Sequence, residues 1–275
     1  MYTYEKKVLF SDIDAKATMS LYGILNALQD CVNVNSESIG RGIDYMMEKR
    51  RSWFAISWNI EIKRYPKMFE DIVIKTWPYD FSAIMGFRNV IIEDSDGNVM
   101  ICADSIWSLV DLNTGRPARI NEEDRHGYDP EPRFSMKEVP RKIAIPSETA
   151  PQEAYCVSKS DIDYNGHMSN AEYIRMADEF LEMGVKPKQI RVEYKNQSQY
   201  KEILIPYVSR KPECVVVCIK GKEKDDIKAV VGTINMDYRS LYHHYENALY
   251  MYDCDEISAI KNDFQLTLDK SRTQF

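Results

Sequence analysis

One short segment occurs twice in the chain, and this repeat limits the possible folds more than any other feature. Residues 11–20 read SDIDAKATMS and residues 160–169 read SDIDYNGHMS, so six of ten positions are identical at a constant offset of 149 residues. Helically spaced apolar residues follow both copies: Leu21, Ile24, Leu25, Leu28 and Val32, then Tyr173, Ile174, Ala177, Phe180 and Leu181. The spacing predicts two equivalent amphipathic helices, one ending near Gly40 and one closed by Gly184 and Pro187.

Predicted strands follow each helix. In the first half they are residues 54–62, DIVIKTW, GFRNVIIED and NVMICADSIWSLVDL, and in the second half IRVEYK, EILIPYV, ECVVVCIKG and KAVVGTINMDY. A helix followed by several long antiparallel strands, present twice, predicts an α+β fold. We expect two units, each a helix wrapped by a curved sheet, to pack as a pseudo-dimer with one continuous sheet. At the second helix, Ser169 and Glu172 have the spacing of a capping box.

Composition suggests where the two units begin and end. Residues 116–152 contain six of the eleven prolines and many charges, which is typical of a linker. We therefore predict a first unit at 1–115, a linker at 116–152, a second unit at 153–242 and a polar tail at 243–275.

The bulk composition excludes several classes of protein. The net charge of −7 argues against a nucleic-acid binder, and no apolar run approaches the roughly 20 residues that span a bilayer. The N-terminal MYTYEKKVLF alternates like a strand and lacks the regions of a signal peptide, so a cytoplasmic location is expected. The six cysteines form no C-x-x-C pair, which favours reduced thiols over a zinc site. We expect no metal and no other cofactor.

Several separated motifs carry a family resemblance. The second copy reads Asp163-Tyr-Asn165-Gly-His167 and continues to Asn170 and Tyr173, while the first half has NALQDC and IEIKRYPKMFEDIVIKTWP. Over about residues 1–240 the chain resembles the acyl-acyl carrier protein (acyl-ACP) thioesterases of bacteria and plant plastids, which are double hot-dog proteins. The resemblance implies a hydrolase of fatty acid biosynthesis that acts on acyl-ACP, with an acidic carrier protein as partner. Chain length, preference for ACP or CoA, and monomer or homodimer stay open.

The polar residues of the second copy suit thioester hydrolysis. Asp163 can activate water or attack directly, Asn165 can orient the carboxylate or the water, and His167 can transfer a proton. Gly166 allows close approach of the backbone, and the helix N-terminus favours an oxyanion. The first copy has Lys16 and Thr18 in place of Asn165 and His167, so it is expected to be a scaffold.

The resemblance also indicates a departure and further contacts. The family often has Glu-Cys where this chain has Gln197 and Ser198, and glutamine cannot accept a proton near pH 7. We expect Gln197 to position water, with Gly166, Asn170 and Tyr173 binding substrate. For the acyl tail we predict a slot in the first half lined by Leu25, Leu28, Met46 and Met47, although each could be an ordinary core residue. Carrier docking is expected at Lys49-Arg50-Arg51 or at Lys186, Lys188 and Arg191.

Other interpretations of the same residues remain open. The alternatives are an acyl-CoA thioesterase, a hot-dog dehydratase and a non-catalytic acyl-binding module. Nothing in the chain reproduces the separate His and acidic positions of the dehydratases. A lone Asp-x-Asn is usually a turn, and we interpret His126, His243 and His244 as solvated or structural. Asp12 and Asp161 match across the repeat, which favours a shared structural role.

Overall fold

A computed structural model describes residues 1–211 and 213–234. The predicted tail at 243–275 and the last residues of the predicted second unit lie outside these ranges, as do His243 and His244. The helices in the described ranges are α1 (Leu21–Ser38), α2 (Ile43–Glu48), α3 (Glu122–Arg125) and α4 (Asn170–Asp178). None of these helices is long and apolar enough to cross a membrane.

The strands form one large antiparallel sheet. They are β1 (Tyr2–Lys7), β2 (Arg51–Ile62), β3 (Asp71–Phe81), β4 (Met85–Glu93), β5 (Val99–Asp111), β6 (Arg116–Pro117), β7 (Ala150–Pro151), β8 (Tyr155–Cys156), β9 (Gln189–Tyr194), β10 (Ile203–Arg210), β11 (Cys214–Gly221) and β12 (Ile227–Ile234). The order across the sheet is β1-β3-β4-β5-β2-β9-β12-β11-β10-β7, with β6 on β5 and β8 on β10. Short elements β6, α3 and β7 lie in the predicted linker, whose boundaries stay a prediction.

The two halves join where β2 pairs with β9. The register runs from Ser57 opposite Glu193 to Glu61 opposite Gln189. On the inner face of this seam, the side chains of Trp58, Ile60, Ile190 and Val192 are buried in one core that also includes α1 and α4. The predicted α+β fold with two helix-and-sheet units and a continuous sheet is therefore confirmed.

The two helices differ more than the repeat suggested. Helix α1 has 18 residues and buries Ile24, Leu25 and Leu28 completely, whereas α4 has only nine and ends at Asp178. The prediction that the second helix continues to Gly184 is wrong. Acidic residues disfavour a helix C-terminus, and Asp178 and Glu179 stand there. Phe180 and Leu181, predicted to be helical, lie in tight turns beyond it.

Each helix is preceded by a short 3₁₀ turn that an aspartate closes. The carboxylate of Asp12 accepts a hydrogen bond from the Leu9 N–H at 2.8 Å, and Asp161 accepts one from the Ser158 N–H at 2.7 Å. These contacts agree with the shared structural role expected for the two aspartates. The predicted capping box of α4 is wrong. The Glu172 N–H donates to the Ser169 backbone carbonyl at 3.1 Å and not to its hydroxyl, and Arg175 holds the Glu172 carboxylate in an ion pair at 2.5 Å.

Candidate active site

The second copy of the repeat forms a closed turn immediately before α4. The backbone N–H of Asp163 donates to the His167 carbonyl at 2.8 Å, and the Gly166 N–H donates to the Asp163 carbonyl at 3.0 Å. One carboxylate oxygen of Asp163 accepts from the Asn165 N–H at 2.8 Å. Gly166 has a φ of +78°, which closes the turn without steric cost. The backbone thus fixes where the Asp163 carboxylate sits.

The first copy has the same backbone without the same side chains. The Asp14 N–H donates to the Thr18 carbonyl at 2.9 Å, and the Asp14 carboxylate accepts from the Lys16 N–H at 2.9 Å. Ala17, which corresponds to Gly166, has a φ of 56°. An aspartate therefore closes the turn in both halves. What distinguishes the second turn is the set of side chains at positions 164, 165 and 167.

His167 is the most unusual group of the second turn. The ring is half-buried, and its Nδ1 is buried without a hydrogen-bond partner in the described parts of the chain. An unpaired buried polar atom costs about 1–3 kcal/mol, so folding alone does not satisfy this side chain. Asn165 is also half-buried, and Tyr164 is 61% exposed. His126, by contrast, is exposed and distant in sequence from any site residue, as its solvated interpretation requires.

Asn170 and Tyr173 hold α4 to its neighbours. The Asn170 side-chain amide donates to Oε1 of Gln29 in α1 at 2.9 Å, and the Tyr194 hydroxyl donates to the Asn170 carbonyl at 2.9 Å. The hydroxyl of Tyr173 is paired with Oγ of Ser198 at 2.8 Å, and burial raises the pKa of Tyr173 to about 12. Both residues lie next to the turn, and their described contacts position the helix.

Gln197 and Ser198 lie alongside the turn because the Ser198 carbonyl accepts the Met168 N–H at 2.8 Å. The Gln197 side chain is exposed and makes no hydrogen bond to Asp163 or His167 within residues 1–211 and 213–234. Ser198 is completely buried and is the residue here that sequence reasoning left out of the site. The sequence did contain a signal for Ser198, because Gln197 and Ser198 together occupy the place of the Glu-Cys pair in the family resemblance.

A buried lysine, Lys228, holds the backbone of the segment at Gln197 and Ser198 in place. Lys228 donates to the Gln197 carbonyl at 3.2 Å and pairs with Glu202 at 2.6 Å and Asp226 at 3.0 Å. Burial alone would lower the pKa of Lys228, but the two carboxylates hold it above its usual value. The first half has an equivalent arrangement in which a different cation bridges the acids, namely Arg64 with Glu70 and Asp94.

An apolar cavity of about 280 Å³ lies in the first half, and Tyr164 of the second turn forms part of its wall. Its apolar lining includes Val32, Met46, Trp53, Phe81, Phe87 and Trp107. Of the four predicted tail residues only Met46 is among the lining residues. Leu25 and Leu28 are fully buried one to two turns earlier on α1, and Met47 is 45% exposed and is not among the lining residues.

The first turn meets the opposite half differently. The Lys16 ammonium donates to the Gly184 carbonyl, and Asp14 forms an ion pair with Lys186. Burial would raise the pKa of Asp14, but the Lys186 ammonium and the Lys16 N–H together hold it below its usual value. These contacts place the segment after α4 directly on the first turn, whereas the second turn borders open apolar space.

The described side chains offer no cluster for a metal: in residues 1–211 and 213–234, no three His, Cys, Asp or Glu residues are grouped. Cys214 is half-buried and Cys218 is buried, and both are free thiols.

Comparison with known proteins identifies the family. Residues 1–128 match the acyl-ACP thioesterase N-terminal domain, and residues 146–239 match the acyl-ACP thioesterase C-terminal domain. The chain belongs to the acyl-ACP thioesterase family. It is 25% identical over 228 residues to oleoyl-acyl carrier protein thioesterase 2, chloroplastic, of Arabidopsis thaliana, which is 74% of this chain and 62% of that protein. The chain thus spans less than two thirds of that relative.

Two solved acyl-ACP thioesterase structures share the fold. The enzyme from Bacteroides thetaiotaomicron is 21% identical, with a TM-score of 0.77 over 84% of this chain and 96% of that chain. The 12:0-ACP thioesterase from Umbellularia californica is 14% identical, with a TM-score of 0.73 over 85% of this chain and 96% of that chain. At these identities the likeness shows the fold alone and assigns no role to the residues of the site.

The twin turns of this thioesterase-family chain allow a matched stability test. Replacing Gly166 with alanine puts a Cβ on a residue with φ +78° where nothing lies within 4 Å, so the cost is conformational only. We expect Gly166→Ala to lower the free energy of unfolding by about 1 kcal/mol and Ala17→Gly to raise it by a similar or smaller amount. Denaturant titration measures both, and shifts in the same direction would contradict the equivalence of the turns.

Proposed function

We propose that this protein hydrolyses the thioester of fatty acyl-ACP at the second turn, releasing free fatty acid and carrier thiol. One observation carries the proposal: the turn that holds Asp163 and a half-buried histidine is also the turn whose Tyr164 borders an apolar cavity. The equivalent first turn has an aspartate, Asp14, but no histidine and no residue that lines the cavity. An acyl-CoA thioesterase would use the same groups, so the rates of thiol release from acyl-ACP and from acyl-CoA have to be compared.

In the proposed reaction the turn supplies the carboxylate and the helix supplies positive potential. One oxygen of Asp163 is held by the Asn165 N–H, which leaves the other to take a proton from water or to attack the carbonyl carbon itself. The Ser169 side chain does not cap α4, so the helix N-terminus is available to a developing oxyanion. Collapse of the tetrahedral intermediate breaks the C–S bond, and the proton that Asp163 took from water passes to the leaving thiolate, a transfer for which His167 is suited. Where Asp163 attacks directly, water then cleaves the acyl–Asp163 anhydride and its proton goes to the thiolate.

Gln197 enters the proposal as a residue that positions water. Its backbone is fixed on both sides, by Lys228 at its own carbonyl and by the bond from Met168 to Ser198. Its exposed amide can donate to and accept from a water at the edge of the turn. A glutamine cannot serve as the base here, which leaves that role to Asp163.

The proposed path of the acyl tail runs from the second turn into the first half. The lining of the cavity is mostly apolar, and Tyr164 connects it to the turn. Asn170 and Tyr173 support this path indirectly by fixing α4. Gly166 leaves open space beside the turn, because no atom lies within 4 Å of the position that a Cβ would occupy there. Leu25 and Leu28 serve as core in this proposal, and Met46 is the predicted residue that contacts the tail.

The acidic carrier protein is proposed to dock near α2. Lys49 and Arg50 are exposed, and they follow the helix whose Ile43 and Met46 line the cavity. Lys49 forms an exposed ion pair with Glu123 at 2.9 Å, and Arg50 donates to Asn113 at 3.3 Å. In the other predicted patch, Lys186 is paired with Asp14 and Arg191 donates to linker carbonyls, which leaves Lys188 as its exposed cation. Opposite charge at the cavity rim would steer an acidic partner despite the net charge of −7.

The first test compares the twin aspartates. Asn at position 163 keeps an oxygen that accepts the turn N–H, so Asp163→Asn is expected to fold normally and lose about 1000-fold or more in turnover. Asp14→Asn should keep most activity. Release of free thiol from acyl-ACP and acyl-CoA measures both variants. Equal losses would contradict a single site, and a wild type that binds but releases no thiol would indicate a non-catalytic module.

A second test concerns Gln197. Gln197→Ala is expected to slow turnover by about 10–1000-fold, the scale of losing an orienting contact. Gln199→Ala is the matched control, because Gln199 is also exposed and its N–H bond to Glu202 is made by the backbone. Steady-state kinetics on the same acyl-ACP give the comparison. An unchanged rate in Gln197→Ala would remove this residue from the site.

The cavity makes a prediction about chain length. Met46→Phe should shorten the preferred acyl chain by about two carbons, whereas Met47→Phe, at the neighbouring exposed position, should leave the length profile unchanged. Two methylenes correspond to about 1.6 kcal/mol, or roughly 15-fold in kcat/KM. A panel of saturated acyl-ACPs measures the profile. Equal effects of the two substitutions would place the tail elsewhere.

Carrier docking is tested by charge reversal. The double variant Lys49→Glu/Arg50→Glu should raise KM for acyl-ACP several-fold at low salt. It should leave KM for small acyl thioesters unchanged, because only the carrier protein would contact Lys49 and Arg50. Lys188→Glu serves as the control from the other basic cluster. If Lys188→Glu alone raised KM, or if salt had no effect on the wild type, docking at α2 would be wrong.

A further inference from the structure

Arg88 of β4 is a charged residue in an apolar place. Its side chain is only 6% exposed, and it lines the cavity together with Val32, Phe81 and Trp107. Within residues 1–211 and 213–234 no carboxylate forms an ion pair with it. Burial lowers the pKa of Arg88 from its usual value, which is the expected effect of removing a cation from water without supplying an anion.

Arg88 differs in this respect from the other buried charges of the described residues. Each of the others has an oppositely charged partner: Asp124, Asp161, Glu172, Glu193 and Lys228 pair with Arg51, Arg175, Arg175, Lys195 and Glu202. Proteins rarely bury an ion without such a partner, because desolvation is costly. This one exception lines the apolar cavity of about 280 Å³, which points to an occupant rather than to packing.

The contacts that Arg88 does make are incomplete. Its Nη1 donates to Oδ1 of Asn35 at 2.8 Å and to Oγ1 of Thr76 at 3.1 Å, and its guanidinium lies 5.3 Å from the centre of the Tyr128 ring. A guanidinium has five N–H donors, and in the described parts of the chain Nε and Nη2 have no acceptor. Asn35 stands in the last turn of α1, whose C-terminal end favours a cation. These contacts orient Arg88 and leave donors for something else.

A plain hydrocarbon tail would not supply what these donors need. It would exclude water from the cavity and leave the N–H groups without acceptors, which is costly for a charged group. We propose that the cavity takes an acyl chain that carries an oxygen substituent, a hydroxyl, a keto group or a terminal carboxylate, and that Arg88 selects it by donating hydrogen bonds to that oxygen. This inference depends on the proposed path of the acyl tail into the first half.

The test measures binding, so that it does not depend on hydrolysis. The probes are thioether analogues of acyl-pantetheine, which cannot be hydrolysed, with equal chain length and either no oxygen, a hydroxyl or keto group moved along the distal half, or a terminal carboxylate. We expect the best oxygenated probe to bind the wild type about 10-fold or more tighter than the plain one, the scale of a hydrogen bond to a charged group. The neutral and anionic probes distinguish the kinds of substituent.

Variants assign the preference to Arg88. Arg88→Met should abolish the preference and bind the plain probe as well as the wild type or better, and Arg88→Gln, which keeps a donor, should retain part of it. The control is Arg41→Met, because Arg41 lines the same cavity but is less buried and stacks on Tyr45. A preference that survives in both Arg88 variants would overturn the proposal, as would equal binding of all probes by the wild type.

The same experiment separates this inference from the proposed function. If the wild type hydrolyses plain acyl-ACP and binds all probes equally, the thioesterase proposal stands and the role of Arg88 is wrong. If no thioester is hydrolysed but oxygenated probes bind tighter through Arg88, the specificity of the cavity stands and the reaction is wrong. Circular dichroism of each variant checks that lost binding does not reflect lost folding.

Discussion

The antiparallel pairing of β2 with β9 is the contact on which the rest of the molecule depends. It joins two half-sheets edge to edge, from Ser57 opposite Glu193 to Glu61 opposite Gln189, and so removes two strand edges that would otherwise invite aggregation. Because the sheet is continuous, α1 and α4 share one core and contact each other directly, with the Asn170 amide donating to Gln29. The pseudo-symmetry then brings the turn of each half near the segment that follows the helix of the other.

The two equivalent turns before α1 and α4 have different neighbours. Asp14 and Asp163 close their turns with the same hydrogen bonds, so the aspartate by itself does not mark a catalytic site. Around the first turn, Lys16 and Lys186 bind the segment after the short α4. Around the second, Tyr164 borders a cavity beside the longer α1. Of the two turns, the second is the one that has both an aspartate and a bordering apolar cavity, which is the arrangement that the proposed function requires.

The sequence predicted what depends on periodicity and repetition. The helical period of Leu21 to Val32 and the alternation of residues 54–62 locate the first helix and its first strand, and the repeat predicts the continuous sheet. Three features were not predicted. Two are local to α4: acids stand at its C-terminal end, and at its start the Glu172 N–H bonds the Ser169 carbonyl while the Glu172 carboxylate pairs with Arg175. The cavity lining depends on how elements meet in space, because residues of α1 line it together with Trp53 and Trp107. Arg88 was hidden inside the strand GFRNVIIED, where a charged residue followed by Asn89 looks like an outward-facing position.

The buried polar groups of the described residues differ in how far folding satisfies them. Glu193 with Lys195 and Asp124 with Arg51 are paired within the protein. Lys228 binds Glu202 and Asp226, although Oδ1 of Asp226 is buried without a hydrogen-bond partner in the described residues. His167 and Arg88 are not complete, and each lies on an element that reaches the same cavity, the second turn and β4. A ligand that excludes water and supplies partners to such groups gains free energy on binding. In the proposed function, chemistry at the turn and selection along the tail would both depend on polar groups that folding positions but does not satisfy.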